Sequence, residues 1–169
     1  MSAGRPDSTP PNAIGSPPLK RRRVHAVALA LAAIVAHAVV GAVHGQAHVR
    51  LDIMLTPAQG MFVNVVILAA PLLAGLLIWR PAPRAGGWLL VAAMFGALIF
   101  GVWNHFVVPG PDNVSSVPAN AWGTVFQATA VLLAVTEVWG CWAGFRVLQR
   151  DSQYRGLAGS ARWRRRLPS

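Results

Sequence analysis

The sequence predicts an all-α integral membrane protein, a bundle of four transmembrane helices with the N and C termini in the cytoplasm. Three observations predict this fold class. First, the 169 residues are 54% hydrophobic and only 12% charged, whereas a soluble domain carries about 25% charged residues. Second, the charged residues cluster and leave four long apolar windows. Third, the cations fall almost entirely on one side of the predicted bundle.

Each window is long enough to hold a membrane span. The windows run between Arg23 and Arg50, Asp52 and Arg80, Arg84 and Asp112, and Asp112 and Arg146, the last broken only by Glu137. Each exceeds the ~20 residues that cross ~30 Å of hydrocarbon at ~1.5 Å per residue. The predicted spans cover approximately residues 24–46, 61–80, 87–107 and 121–147.

The flanking segments differ in composition from the spans. Five prolines lie among Ser, Gly and Asn in the first 19 residues, so residues 1–23 are predicted to be a disordered, Pro-rich, basic cytoplasmic arm. Residues 24–149 form the predicted transmembrane domain, and residues 150–169 form a basic cytoplasmic tail. Pro71 predicts a kink inside the second span.

The distribution of cations predicts the orientation. Arg50 alone lies on one side of the predicted bundle, and the other 14 of the 15 Lys and Arg residues lie opposite. Because cytoplasmic loops retain Lys and Arg, both termini are predicted to be cytoplasmic. The net charge of +10 then reflects topology rather than nucleic-acid binding. A further hypothesis is that the basic tail, with Trp163, binds anionic lipid. The excess of Arg over Lys favours a bacterial inner (plasma) membrane.

Two features of the first and fourth spans limit the alternatives. The start of the first span resembles a secretory signal peptide, with the basic segment LKRRR before an apolar stretch and a candidate cleavage site at Ala36-His37-Ala38. The long apolar part favours an uncleaved span instead. Cys141 is the single cysteine, which excludes an intrachain disulfide and a Cys-based zinc or iron–sulfur site.

Two stripes of small and polar residues predict the inward faces. The stripe of the first span comprises Ala26, Ala30, Ala33, His37, Gly41, His44 and His48. The stripe of the fourth span comprises Gly123, Gln127, Ala130, Ala134, Glu137, Cys141 and Gly144. Since lipid provides no hydrophobic drive between helices, close packing of small residues and polar contacts must join them. Both stripes are therefore predicted to lie inside the bundle.

Residues from several segments should reach one layer near the external face. Helix rise and span direction place there the candidate metal ligands His44, His48 and His105 and the supporting residues Asn64, Asn104 and Asp112. Asn64 and Asn104 are expected mainly to make packing contacts. Asp112 lies in a PGPDN turn. Asp is common in such turns because its side chain hydrogen-bonds the nearby backbone.

This layer has three chemical uses. His44 and His48 can hold one metal from a single helix turn, with His105 as a third ligand for Zn, Cu or Fe. Alternatively, His44 or His48 faces His105 across a haem b, or the imidazoles pass protons or bind a quinone. The competing interpretation is structural, with interhelical contacts worth ~0.6 kcal/mol each.

His37 and Glu137 raise a separate question, because both lie within the predicted hydrocarbon region. Intramembrane ionisable groups on inward faces are functional candidates, so a proton path through these two residues is one hypothesis. A protonated Glu137 bonded to a backbone carbonyl is the alternative.

The leading hypothesis is a small inner-membrane protein with a histidine site near its external face that binds a transition metal or haem. Its role would be redox chemistry, metal handling or assembly of a complex. One alternative is a non-catalytic membrane subunit whose histidines are interhelical packing contacts. Another is a proton-coupled carrier using His37 and Glu137, which four spans could form only as an oligomer. A homo-oligomer or a larger membrane complex is the expected assembly. Without a nucleophile–base pair or paired carboxylates a hydrolase is unfavoured, and the sequence identifies no catalytic residue.

Overall fold

Four helices account for all the regular secondary structure of the described chain. The computed structural model describes residues 19–80 and 82–164, with side chains between residues 21 and 153. The helices are α1 (Leu19–Arg50), α2 (Pro57–Trp79), α3 (Pro83–Val107) and α4 (Ala121–Arg164). All four are long and apolar enough to cross a membrane, as the sequence predicts, and they are consistent with a multi-pass membrane protein.

The helices extend beyond the predicted spans. Residues 19–23, assigned above to the arm, are helical and continuous with the rest of α1. Residues 150–164, assigned to the tail, continue α4, because a helix that already exists extends at low cost and Arg is a good helix former. Residues 1–18 and 165–169, and the side chain of Trp163, lie outside the described part of the chain.

The contact between α1 and α4 repeats every seven residues. His44 bonds to Thr129, and His37 bonds to Thr136 seven residues further into the bundle. Ala30 and Ala143 continue the series and are both fully buried in one core cluster. This register places the predicted stripe of α1 against α4. The α4 residues that meet it, Thr129, Thr136 and Ala143, lie beside the predicted stripe of α4 and not in it, and Gln127 of that stripe is exposed.

Glycines bring α3 close to its neighbours, from the end of the bundle opposite the histidines to its middle. A Cβ at Gly86 would lie 2.7 Å from the backbone oxygen of Ala74. A Cβ at Gly140 would lie 2.6 Å from Cγ of Met94, which is itself fully buried. Such small residues allow helix backbones to approach each other in the absence of a hydrophobic driving force.

Two helices contain π-helical segments, which the sequence pattern does not predict. In α2 the segment is Val63–Ala69, and it lies directly before Pro71, whose missing N–H removes one helical hydrogen bond. In α3 the segment is Trp103–Val107. Single π turns change the direction of the residues that follow and are frequent at functional sites, and the one in α3 contains His105.

Candidate metal centre

Three histidines from two helices meet at one end of the bundle. Nε2 of His44 lies 3.2 Å from Nε2 of His48, one turn further along α1. The ring of His105 lies 4.8 Å from the ring of His44 and 6.1 Å from that of His48, measured between centroids. One nitrogen from each ring falls within 4.8 Å of the others. This cluster of His44, His48 and His105 could hold a metal ion.

The hydroxyl of Thr129 orients the ring of His44. That hydroxyl has one proton, and it donates this proton to the backbone carbonyl of Val125 at 2.7 Å. The hydroxyl oxygen is therefore the acceptor in its 2.8 Å contact with Nδ1 of His44. His44 thus carries its proton on Nδ1, and its Nε2 presents a lone pair.

The turn after α1 orients the ring of His48. Asp52 adopts the left-handed backbone conformation, with φ of 55°, which Asp tolerates better than most residues. The N–H of Ile53 then donates back to the carbonyl of His48 at 3.0 Å. In return, Nδ1–H of His48 donates to the carbonyl of Ile53 at 3.3 Å, since a carbonyl can only accept.

The loop after α3 orients the ring of His105. Nδ1–H of His105 donates to the backbone carbonyl of Asp112 at 3.0 Å. The loop is fixed in turn, because Val114 N–H donates to the carbonyl of His105 at 3.0 Å. The side chain of Asn113 also donates to the carbonyl of Val108. The proton of His105 is therefore on Nδ1 as well.

In the neutral form of all three imidazoles, a proton on Nδ1 leaves Nε2 without one. Each Nδ1–H points outward to an oxygen acceptor, which is the arrangement that fixes the tautomer of metal-binding histidines. The Nε2 atoms of His44 and His48 lie 3.2 Å apart, a hydrogen-bond distance when one of them carries a proton. When both rings are neutral with Nδ1 protonated, their Nε2 lone pairs face each other, and a metal ion between them would replace that proton. Two nitrogens bound at ~2.0–2.1 Å to one tetrahedral ion would lie about 3.3 Å apart.

Asp112 adds a negative charge to this cluster. Its Oδ1 lies 3.2 Å from Nε2 of His48 and 3.2 Å from Nδ1 of His105. Neither contact has hydrogen-bond geometry, and both carboxylate oxygens are buried without a hydrogen bond from the described residues. A buried carboxylate in this position favours a cation beside it, so Asp112 belongs to the site as well as to the turn.

Phe126 forms an apolar floor beneath the three rings. Its side chain is 0% exposed, and its ring centroid lies 4.7 Å, 5.1 Å and 5.4 Å from those of His44, His48 and His105. Packing of this kind restricts the imidazole orientations, which a metal site requires. Neither Phe126 nor Thr129 is predicted from the sequence to be part of the site.

Two predicted supporting residues lie outside the cluster. Asn64 is exposed and donates to the carbonyl of Gly60 within its own helix. Asn104 donates to the carbonyl of Phe100 and accepts from Gln59. The π turn in α3 directs His105 inward, and its neighbour Asn104 joins α2 and α3 through Gln59. Asn104 therefore makes the expected interhelical contact, whereas Asn64 does not.

His37 and Glu137 contact different partners. Nδ1–H of His37 donates to the Thr136 hydroxyl at 3.3 Å, since that hydroxyl gives its own proton to the carbonyl of Leu133. Glu137 faces His105 instead. None of the hydrogen bonds between described residues joins His37 to Glu137, and the proton-carrier hypothesis stays a prediction.

The geometry favours a single ion over a haem. The centroid of His44 is 4.9 Å from that of His48 and 4.8 Å from that of His105. His44 therefore lies on the plane midway between the other two rings, where a porphyrin would have to lie. Rings at these distances are in direct edge contact, which leaves no room for a macrocycle between them.

The chain matches no protein-family model, no curated protein and no solved structure. The chemistry of the site therefore rests on its own residues.

Proposed function

We propose that this four-helix protein binds one transition-metal ion, Cu, Zn or Fe, through His44, His48 and His105 in a membrane. The main support for this proposal is that all three Nδ1–H groups donate outward to oxygen acceptors. Their Nε2 lone pairs are then available to an ion. Imidazole is the ligand type that these metals accept readily.

Asp112 would supply the charge that a divalent ion needs. Its carboxylate lies beside two of the rings, and its backbone carbonyl accepts from His105. Three imidazoles with a carboxylate nearby leave a coordination position open for water or an exchanging ligand. An open position favours metal handling or redox chemistry over a purely structural ion, and it is compatible with a role in assembling a larger membrane complex.

Metal analysis of the purified protein tests this proposal. The protein, purified in detergent, is loaded separately with Zn and Cu, freed of excess ion and analysed for metal content. We expect one ion per chain in the wild type and a loss of more than about 100-fold in affinity for His105→Ala, beyond the range of outer-shell changes.

His25→Ala is the matched control for this experiment. His25 is an exposed histidine of α1 that donates to the carbonyl of Arg21, far along the helix from the cluster. We expect His25→Ala to retain the metal. Equal metal content in both variants, or no metal in the wild type, would contradict the proposal and favour a packing role for the histidines.

We further propose that the arginine-rich end of the bundle lies in the cytoplasm and contacts anionic lipid. There α1 and α4 border a cavity of about 460 Å³ lined by Arg21, Arg22, Arg146 and Arg150. The guanidinium of Arg146 also lies 4.8 Å from the ring of Trp142, an arrangement typical of a membrane interface. A C-terminal alkaline phosphatase fusion should then be inactive and a C-terminal fluorescent-protein fusion bright in bacteria, and the reverse pattern would contradict this orientation.

A further inference from the structure

A second cavity, mainly apolar, adjoins the histidine cluster on the side of α2. Its volume is about 620 Å³, within the range of about 300–1,000 Å³ that small-molecule sites occupy. Small residues of α1 and α3 form much of its wall, and the π-helical segment of α2 forms another part. Among the lining residues are Gly41, Gly45, Ile67 and Gly101.

The cavity opens between α1 and α2. These helices contact each other chiefly through the Ala70–Trp79 half of α2, so their other halves leave a gap beside the cluster. Val49 and Leu68, on the two edges of that gap, are 73% and 40% exposed and also line the cavity. In a membrane such apolar edges face lipid, so a ligand would enter sideways from the hydrocarbon.

A bare carboxyl group faces the inside of this cavity. Glu137 lines the wall, yet the residue is only 3% exposed. No hydrogen bond in the described chain involves its carboxyl group. Burial of an acid without a hydrogen-bond partner is costly, and intramembrane acids of this kind mark ligand or ion pathways. A molecule that shares a hydrogen bond with Glu137 would remove that cost.

The histidine cluster presents a second polar group to the same space. A methyl group added at Gly101 would lie 3.9 Å from Oε2 of Glu137 and 3.9 Å from Cδ2 of His105. The absence of a side chain at Gly101 therefore keeps open the space between the acid and the imidazole. A ligand that fits this cavity would have an apolar body and a small head group with two polar atoms on opposite sides, one facing Glu137 and one facing His105.

We propose that this cavity binds a lipid-soluble quinone or quinol, with one ring oxygen at Glu137 and the other towards His105. An acyl chain alone would leave Glu137 without a partner, and an anionic headgroup would be repelled by the carboxylate of Asp112, which also lines the cavity. A protonated Glu137 can donate to a quinone oxygen, and an ionised Glu137 can accept from a quinol hydroxyl. The quinone site extends the proposed function and rests on it in one respect, because the proposed metal ion would lie beside the quinone ring. Binding through Glu137 and the cavity walls does not itself require the metal.

Binding of a decyl-substituted benzoquinone, in its oxidised and quinol forms, tests this inference. The probe is titrated into detergent-purified protein and followed by quenching of tryptophan fluorescence. We expect saturable binding by the wild type that Glu137→Leu weakens by about 10-fold or more, since a hydrogen bond to a buried acid is lost. Glu137→Gln, which keeps a hydrogen-bonding group of the same size, should retain part of the affinity.

Two glycine variants separate cavity filling from general damage to the fold. A Cβ at Gly45 or at Gly60 meets no heavy atom within 4 Å, so a larger side chain can start at either position without a clash at its Cβ. Gly45 lines the cavity and Gly60 is absent from its lining. We expect Gly45→Leu to abolish quinone binding and Gly60→Leu to leave it unchanged. Equal binding by both variants, or competition by dodecanol as strong as by quinone, would overturn the proposal.

Parallel measurements with zinc keep the two proposals apart. Quinone binding by a protein that takes up no zinc would preserve the cavity site and contradict the metal site. Zinc uptake without saturable quinone binding would preserve the metal site and contradict the cavity site. Circular dichroism of each variant confirms that the helices are retained.

Discussion

Most glycines in the two halves of the bundle differ in what surrounds them; Gly123, in the first turn of α4, is an exception because a Cβ there would meet the carbonyl oxygen of Pro118. At the arginine-rich end, added Cβ atoms at Gly86 and Gly144 would lie 2.7 Å from atoms of neighbouring helices. At the histidine end, a Cβ at Gly41 or Gly101 would have its nearest neighbour at 3.9 Å, and one at Gly45 would have none within 4 Å. The first group lets helices pack closely, and the second group borders a cavity.

This difference separates stability from binding along the same four helices. Close packing at one end holds the helix pairs together through van der Waals contact. At the other end the helices leave room for three imidazoles, two acidic groups and an apolar cavity. We infer that the packed end fixes the relative positions of the helices, and that the open end uses this rigidity to hold its side chains in place.

The largest expected effect is on stability, from Gly86→Ala in the packed half. The added methyl group would meet the backbone of α2, which cannot move cheaply, so we expect a loss of about 1–3 kcal/mol. Thermal unfolding in detergent should show a Tm lower by several degrees.

Gly41→Ala is the control in the open half. The methyl group has room there, and Ala favours the helix over Gly by up to about 1 kcal/mol, so the Tm should stay level or rise. Equal losses of Tm in the two variants would mean that the halves do not differ in packing.

The next effect concerns two hydrogen-bonded pairs that have the same chemistry but different neighbours. Thr129 accepts from His44 inside the cluster, and Thr136 accepts from His37 outside it. Thr129→Val removes the acceptor that orients a proposed ligand, so we expect metal affinity to fall about 10–100-fold.

Thr136→Val makes the same chemical change seven residues away and should leave metal affinity unchanged. Competition titration with a chromogenic chelator measures both variants. A similar loss of affinity in both would indicate damage to the α1–α4 interface rather than to a metal site.

The smallest expected effect comes from the charge of Asp112. Asp112→Asn keeps the backbone carbonyl that accepts from His105 and removes the carboxylate beside the rings, and we expect zinc affinity to fall about 10-fold. Asp52→Asn removes an exposed carboxylate from the turn after α1, where Asn also tolerates a positive φ. The same titration should show no change for Asp52→Asn, and a loss equal to that of Asp112→Asn would point to a general effect of charge.

The helices and the three histidines follow from the sequence because their patterns are local. Apolar windows, prolines and cation clusters set the spans, and helical spacing places His44 and His48 on one face. The shared depth of His44 and His105 follows from helix rise alone. The seven-residue spacing of Thr129 and Thr136 matches that of His44 and His37, so the contact between these helices was also present in the sequence as a pattern.

Other parts of the site depend on geometry that the sequence pattern does not contain. A regular helix would place both Asn104 and His105 near the site. The π turn in α3 changes this, so that only His105 points into the cluster. The carbonyl of Ile53 reaches His48 only because Asp52 adopts a positive φ. From the sequence, Phe126 is expected to face lipid because it is bulky and lies outside the predicted stripe. In the structure it is buried and packs beneath the three histidine rings.

X-ray absorption spectroscopy of the zinc-loaded protein tests the metal centre most directly, because it reports which atoms surround the ion. The account predicts three imidazole nitrogens at about 2.0–2.1 Å, with the multiple scattering that imidazole rings produce, and a reduced imidazole contribution in His105→Ala. A spectrum dominated by oxygen ligands, with no imidazole scattering, would contradict it.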